Sequence, residues 1–243
     1  MAQMTAPNLL ATQNISEREK LIFDATERLL GKFGYDKTTV ADIAKEAGIS
    51  KGAIYLHFKS KDDLIERLLI HAMLGFSANW FGAIEADPQG GLIGNMYLNM
   101  LKVIDQTPLM AVIMRQDGAI LGNYLKKKDN FFVKNQRQGM RHEFVAMMQA
   151  AGAIRQDLDP KVVAHIMDMI SFGMVTIAEF VPTEQIPPTD EVIKGIADFM
   201  HRALTPEQGA DSETGKRILR QLYAEAQKDF LAAQQADAAQ KES

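Results

Sequence analysis

The chain contains no cysteine, which excludes disulfide cross-links, thiol nucleophiles and thiolate metal sites, and its expected location is the reducing cytoplasm. No Lys or Arg precedes Arg18, so a secretory signal peptide is not expected. No long apolar run is uninterrupted. The most apolar stretch, Val162 to Ala178, carries His165 and Asp168, whose cost at a bilayer centre points to a buried helix of a soluble protein and no membrane partner. Strand-like alternation is missing throughout, so the expected fold class is all-α. Also missing is any convergent set of His and carboxylates, an activated Ser or a Gly-rich phosphate loop, so no catalytic residues and no cofactor are assigned. His165, Asp168 and Glu179 lie at near-helical spacing, but polar contacts across a subunit interface explain them better than a metal site.

What is present begins with bulk. At 243 residues and 47% hydrophobic content, the chain can bury a substantial core in one small and one larger domain. The formal net charge is −4, so contact with a polyanion must come from a local patch. Between Lys37 and Lys61 five lysines stand against Asp42 and Glu46, an excess of +3 that leaves −7 for the remainder.

That basic stretch contains the densest run of helix signals, Thr38 to Leu64: TTVADIAKEAGISKGAIYLHFKSKDDL. Thr39 with Asp42 reads as a capping box, and Val40, Ile43, Ala44 and Ala47 form one buried helix face. Gly48 suits a left-handed helix stop, Ile49 packs back, and Ser50 caps a new helix at once. Lys51 to Phe58 makes only about two turns, so packing through Ile54 and Phe58 must hold it while the rest faces outward. Two helices joined this tightly read as a helix-turn-helix whose second member enters a major groove. Ser60 with Asp63 then launches a longer helix through Leu64, Ile65, Leu68 and Leu69.

Several of these residues are candidate DNA contacts. Lys51 can reach guanine O6/N7, the Ala53 methyl can touch thymine, and Gly52 permits close backbone approach. Thr39, capping a helix start, can direct N–H groups at a phosphate, although capping alone also explains it. Lys61 stands at a helix N-terminus, where the dipole disfavours a cation unless an anion is nearby, so a phosphate contact is expected.

TVADIAKEAGISKGAIYLHFKSKDDL, with its GxxYxHFxxKxxL core, resembles the signature of the TetR (tetracycline-repressor) family of bacterial regulators over roughly residues 15 to 70. The resemblance implies that Tyr55 and His57 contact phosphates. It also implies a small-molecule effector pocket and homodimerisation in the C-terminal part. The expected function is therefore a homodimeric transcriptional repressor that leaves a pseudo-palindromic double-stranded operator when an apolar or amphipathic small molecule binds. A DNA-binding regulator or activator without an effector is the alternative.

The rest of the chain is divided accordingly. Residues 1–14 form a disordered arm and residues 15–60 the three-helix DNA-binding domain, whose first helix starts at the Ser16–Glu19 capping box and ends at Gly34. A long helix from Lys61 to about Ala86 joins it to a helical effector-binding and dimerisation domain, residues 61–204. Residues 205–231 add a further helix that should dock on the body, and 232–243 form a flexible tail. Within the larger domain, helices are expected over Leu92–Asp105, Leu109–Gly118, Tyr124–Ala151, Pro160–Val181 and Thr189–Leu204, the last two forming the dimer interface. Phe76, Trp80, Met96, Tyr97, Met100 and Met114 read either as core or as an adaptable effector pocket with Tyr97, Asn99, Gln116 or Tyr124 as polar anchors. The run Lys126–Lys128 is expected to be solvated.

Overall fold

A computed structural model describes residues 15–134 and 140–241; the expected arm at 1–14 lies outside them. Among the described residues the fold is all-α, with no strand. In chain order the helices are α1 (Glu17–Lys37), α2 (Val40–Glu46), α3 (Lys51–Tyr55), α4 (Lys61–Ala86), α5 (Ile93–Asp105), α6 (Pro108–Arg115) and α7 (Gly118–Leu121). A 3-10 turn over Gly122–Lys126 follows, then α8 (Phe131–Lys134), α9 (Met140–Ala150), α10 (Pro160–Thr176), α11 (Thr189–Leu204) and α12 (Ser212–Lys241).

The chain forms two compact units. One takes the residues up to Trp80 with Val103–Gln138 and Ile170–Ile186; the other takes Phe81–Lys102, Gly139–Met169 and the chain from Pro187 onward. In the first unit Ile22, Ile43, Ile54, Phe58 and Leu64 are almost completely buried, and the same cluster runs on through Leu109, Met110, Leu121, Tyr124 and Phe131. The three N-terminal helices therefore share their core with α6 to α8. Gly34 makes the junction possible. It breaks the helical course of α1 at φ 72°, and a Cβ there would sit 2.8 Å from the Ala119 carbonyl oxygen of α7.

The second unit is built on Tyr97, Leu101, Val145, Met148, Met167 and Ile193, all buried. In this unit α12 docks on the last turns of α4. Tyr223 stacks on Phe81 at 4.6 Å, Arg220 grips the Glu85 carboxylate at 3.0 and 2.8 Å, and Lys216 Nζ donates to the Glu85 carbonyl at 3.3 Å. The last turn of α4 has no basic residue of its own, so these cations complement the negative end of its dipole.

Several expected helices differ in extent. The single helix expected over Tyr124–Ala151 is interrupted, because the buried Asn130 side chain takes over the local backbone bonding. Its amide nitrogen donates to the Leu125 and Lys127 carbonyls at 2.9 and 2.8 Å, and its oxygen accepts from the N–H groups of Phe132 and Val133 at 2.8 and 3.1 Å. Helix α10 stops at Thr176, not Val181; the Thr176 hydroxyl bonds the Phe172 carbonyl at 2.9 Å and a 3-10 turn follows. Helix α12 continues to Lys241 instead of ending near Leu231. After Gly215 it contains no Gly or Pro, and its Ala, Gln and Lys are strong helix formers.

Candidate nucleic-acid interface

Three capping arrangements assemble the interface. Ser16 and Glu19 close a capping box at α1. At α2 the Asp42 N–H donates to the Thr39 hydroxyl at 3.2 Å while the Asp42 carboxylate accepts the Thr39 N–H at 3.0 Å and its hydroxyl at 2.6 Å. These bonds from Thr39 hold the Asp42 carboxyl below its usual range. At α3 the Ser50 hydroxyl accepts from the Ala53 N–H at 3.1 Å. Between α2 and α3, Gly48 adopts φ 69°, and the next N–H, that of Ile49, returns to the Ala44 carbonyl at 3.0 Å. The result is a tight turn between two helices held at their starts by side chains.

Helix α3 is shorter than the expected Lys51–Phe58: it has five residues and ends at Tyr55, with the N–H groups of both His57 and Phe58 closing on the Ile54 carbonyl at 2.9 Å. Ile54 and Phe58 are buried, as their anchoring role requires, while Lys51, Gly52, Tyr55 and Leu56 face out. Tyr55 is 48% exposed, and Lys51 Nζ lies 5.8 Å from its ring centre. A Cβ on Gly52 would meet only the Ser50 hydroxyl, at 3.8 Å, so nothing inside the protein demands glycine there. A helical glycine costs about 0.5–1 kcal/mol relative to alanine.

Of the other candidates, Thr39 is exposed, and Ala53 and His57 are half-buried. Lys61 does something different from what its position suggested. Its ammonium donates to the carbonyls of Tyr35 and Thr38 at 2.8 and 2.9 Å and lies 3.8 Å over the Tyr35 ring. The cation at the start of α4 is thus matched by carbonyls at the end of α1, and no phosphate is needed to explain it. Burial lowers its pKa, outweighing the help of Asp62 and Asp36. Beside it, Asp62 accepts from the Tyr35 hydroxyl and from Lys127. Lys127, expected to be solvated, is therefore part of this cluster. Burial and the bond to Asp62 push the Tyr35 hydroxyl up to about 12.

Sequence reasoning missed Arg67. It donates to the His57 carbonyl at 2.8 Å and to Glu19 at 2.6 Å, joining α1, the exit of α3 and α4. Only its place about two turns after the Ser60 cap could have hinted at this.

The candidate effector residues separate. Phe76 and Trp80 stack at 6.3 Å near the end of the first unit's share of α4, half-buried, and Met114 on α6 is half-buried in the same unit. Met96, Tyr97 and Met100 are buried in the second unit. Three of the four suggested polar anchors are engaged within the chain: Tyr97 donates to the Met167 carbonyl at 2.5 Å, Asn99 to Asp87 at 3.3 Å, and the Tyr124 hydroxyl accepts from Phe131 at 3.0 Å, while Gln116 is exposed. A cleft of about 720 Å³ in the second unit is lined by polar residues including Arg155, Gln156, Asp157, Arg202 and Thr205, and by none of the expected effector residues.

The family described as bacterial regulatory proteins, tetR family, matches residues 22–68, the span that carries the caps, the turn and α3. Over that span the chain is similar to the TetR family. The regulator YerO of Bacillus subtilis is 44% identical over 79 residues, 31% of this chain and 26% of that protein. TtgR of Pseudomonas putida is 31% identical over 128 residues, 52% of this chain and 60% of the relative. This chain thus spans less than two thirds of either relative's length. Among solved structures, the FadR regulator of Bacillus subtilis in complex with stearoyl-CoA shares the fold with a TM-score of 0.56 at 19% identity, covering 74% of this chain and 96% of FadR.

Proposed function

We propose that this chain is a TetR-family homodimeric transcriptional repressor that binds a pseudo-palindromic double-stranded operator and releases it to an apolar or amphipathic effector. The observation that carries the DNA reading is α3. A five-residue helix pinned by Ile54 presents Lys51, Gly52 and Tyr55 outward in a basic stretch of an acidic chain. Thr39, Ala53 and His57 flank it, and Lys61 supports it through the end of α1.

Dimerisation is supported by α10, where Val162, Ile166, Met169 and Phe172 are all exposed at spacings of four, three and three. On α11, Phe199 is 75% exposed. The stretch Pro160–Glu179 is also long and apolar enough to cross a bilayer, with 28% of its apolar window buried. Exposed His165 and Asp168 interrupt that face, which suits a second copy in the cytoplasm better than lipid. A two-fold axis would place the recognition helices about 34–36 Å apart.

The effector reading rests on the Phe76–Trp80 pair, on Met114 and on FadR, whose structure holds a long acyl chain. Burial of Met96, Tyr97 and Met100 favours the second reading, a DNA-binding regulator without a small-molecule effector. The test is operator selection followed by binding over a salt series. Tyr55→Phe should weaken binding to every sequence, and Lys51→Ala should change the preferred sequence. A chain that selects no sequence, or variants indistinguishable from the parent, would refute the interface. Acyl-CoA thioesters that release DNA while shifting Trp80 fluorescence would support the effector reading; release without a Trp80 response would place the ligand elsewhere.

A further inference from the structure

We propose that Arg67 and Glu19 are positioning residues for DNA reading: they fix the chain leaving the recognition helix, and through it the pose of Tyr55 and His57, without touching DNA. The inference rests on the DNA-binding reading above. Helix α3 has five residues, a length that does not hold itself. Its exit is closed by the His57 and Phe58 N–H groups on one carbonyl, that of Ile54. The His57 carbonyl then needs a donor from elsewhere, and Arg67, in the second turn of α4, supplies it at 2.8 Å through Nη1.

The same guanidinium lies 4.7 Å from the Phe58 ring centre and donates through Nη2 to Glu19 Oε1 at 2.6 Å. The other oxygen of Glu19 accepts both the backbone N–H and the hydroxyl of Ser16, each at 3.0 Å. One carboxylate therefore closes the cap of α1 with one oxygen and anchors the arginine of α4 with the other. Burial raises the Glu19 pKa, but the bonds from Ser16 and Arg67 outweigh it and leave the carboxyl below its usual range, so the group is ionised at neutral pH. His57 Nδ1 stands 4.0 Å from Glu19 Oε1, within the same cluster. Donating to a carbonyl and a carboxylate at once while lying over a ring suits the rigid fork of arginine; a lysine ammonium is a single point charge. With both terminal nitrogens engaged and a side chain only 31% exposed, Arg67 is directed into the protein.

The test measures operator affinity of the full chain over a salt series for Arg67→Ala, Arg67→Lys and Glu19→Gln. Each variant should lose roughly tenfold in specific affinity, the scale of one lost charge-assisted bond, and Lys should not restore it. The salt slope should stay that of the parent, because no phosphate contact is removed. Glu19→Gln guards against simple unfolding, since glutamine still serves a capping box while weakening the bond to Arg67. A slope reduced by about one in Arg67→Ala would make Arg67 a phosphate ligand and overturn the proposal. Unchanged affinity or full rescue by Lys would overturn it too. If the parent and Tyr55→Phe behave as the DNA reading requires while these three variants match the parent, only this proposal fails; if the parent binds no DNA, both fail.

Discussion

The helices around Ile54 and helix α10 are both rich in apolar side chains, yet they dispose of them in opposite ways. Around Ile54 the large apolar groups Ile22, Ile43, Phe58 and Leu64 are each nearly inaccessible, and the outward face is lysine, glycine and tyrosine with a single exposed leucine, Leu56. Along α10, Val163 and Met167 are covered while Val162, Ile166, Met169 and Phe172 are not. A finished apolar core with a polar outer face suits a charged partner that binds and leaves, because little apolar surface changes its exposure. An apolar stripe on the surface suits a lasting partner, because each departure would return it to water.

The sharpest break between the two regions is in truncation. Ile54→Ala should cost about 2–5 kcal/mol and melt the reader at markedly lower temperature, since the cavity lies in a shared core with little room to collapse. Ile166→Ala should leave the melting of the dilute monomer nearly unchanged. Thermal denaturation followed by circular dichroism at several concentrations reads both; equal losses would erase the distinction.

The next largest effect belongs to charge placed on the stripe. Ile166→Glu and Phe199→Glu should each yield monomers, since losing one large buried apolar group removes about 1.5–3 kcal/mol and an unpaired carboxylate adds a further penalty. Ile170 and Val175 on the same helix would be poorer probes, because both are half-buried within the chain. Sedimentation that still shows a dimer for the double variant would move the interface off these helices.

What the sequence makes legible follows from how local the physics is. Ser16, Thr39 and Ser50 each act within three residues, so their caps and the Gly48 stop are readable without any tertiary information. Lys61 and Lys127 find partners 23 to 65 residues away, and no local rule specifies those bonds. Arg67 was passed over for the same reason. Asn130 is an intermediate case: its bonds are short-range, but the flanking apolar residues at helical spacing hid the turn it makes. At α12 composition misled, since an Ala/Gln-rich segment reads as low complexity although its residues favour a helix. Exposure along α10 was not readable either, because periodicity locates an apolar face without saying what covers it.

The smallest expected effect concerns the contact that ties the reader to the segment after α7. Asp62, in the first turn of α4, takes bonds from the Tyr35 hydroxyl and from Lys127, while Lys134 meets Glu66 one turn further along at 2.8 Å. Burial raises the Asp62 pKa, yet the bonds from Lys127 and Tyr35 prevail and hold it below its ordinary value of 3.8. A carboxyl whose folded pKa is depressed contributes stability that is present above the unfolded value and is lost as pH falls through the folded one. Both side chains are more than a third exposed, at 39% for Asp62 and 36% for Lys127, so solvent screening limits the contribution to about 0.2–1 kcal/mol. Asp62→Asn should therefore be slightly less stable than the parent at neutral pH, and the gap should close below about pH 4 as the parent's own carboxyl protonates. High salt should narrow the same gap at neutral pH, because the pair with Lys127 is screened. Urea denaturation of both proteins at pH 7 and pH 3, with and without added salt, reads all three comparisons. A gap that persists unchanged at pH 3 would mean that the Tyr35 hydrogen bond, which an amide oxygen also accepts less well, and not the charge of Asp62, fastens the start of α4 to the end of α1.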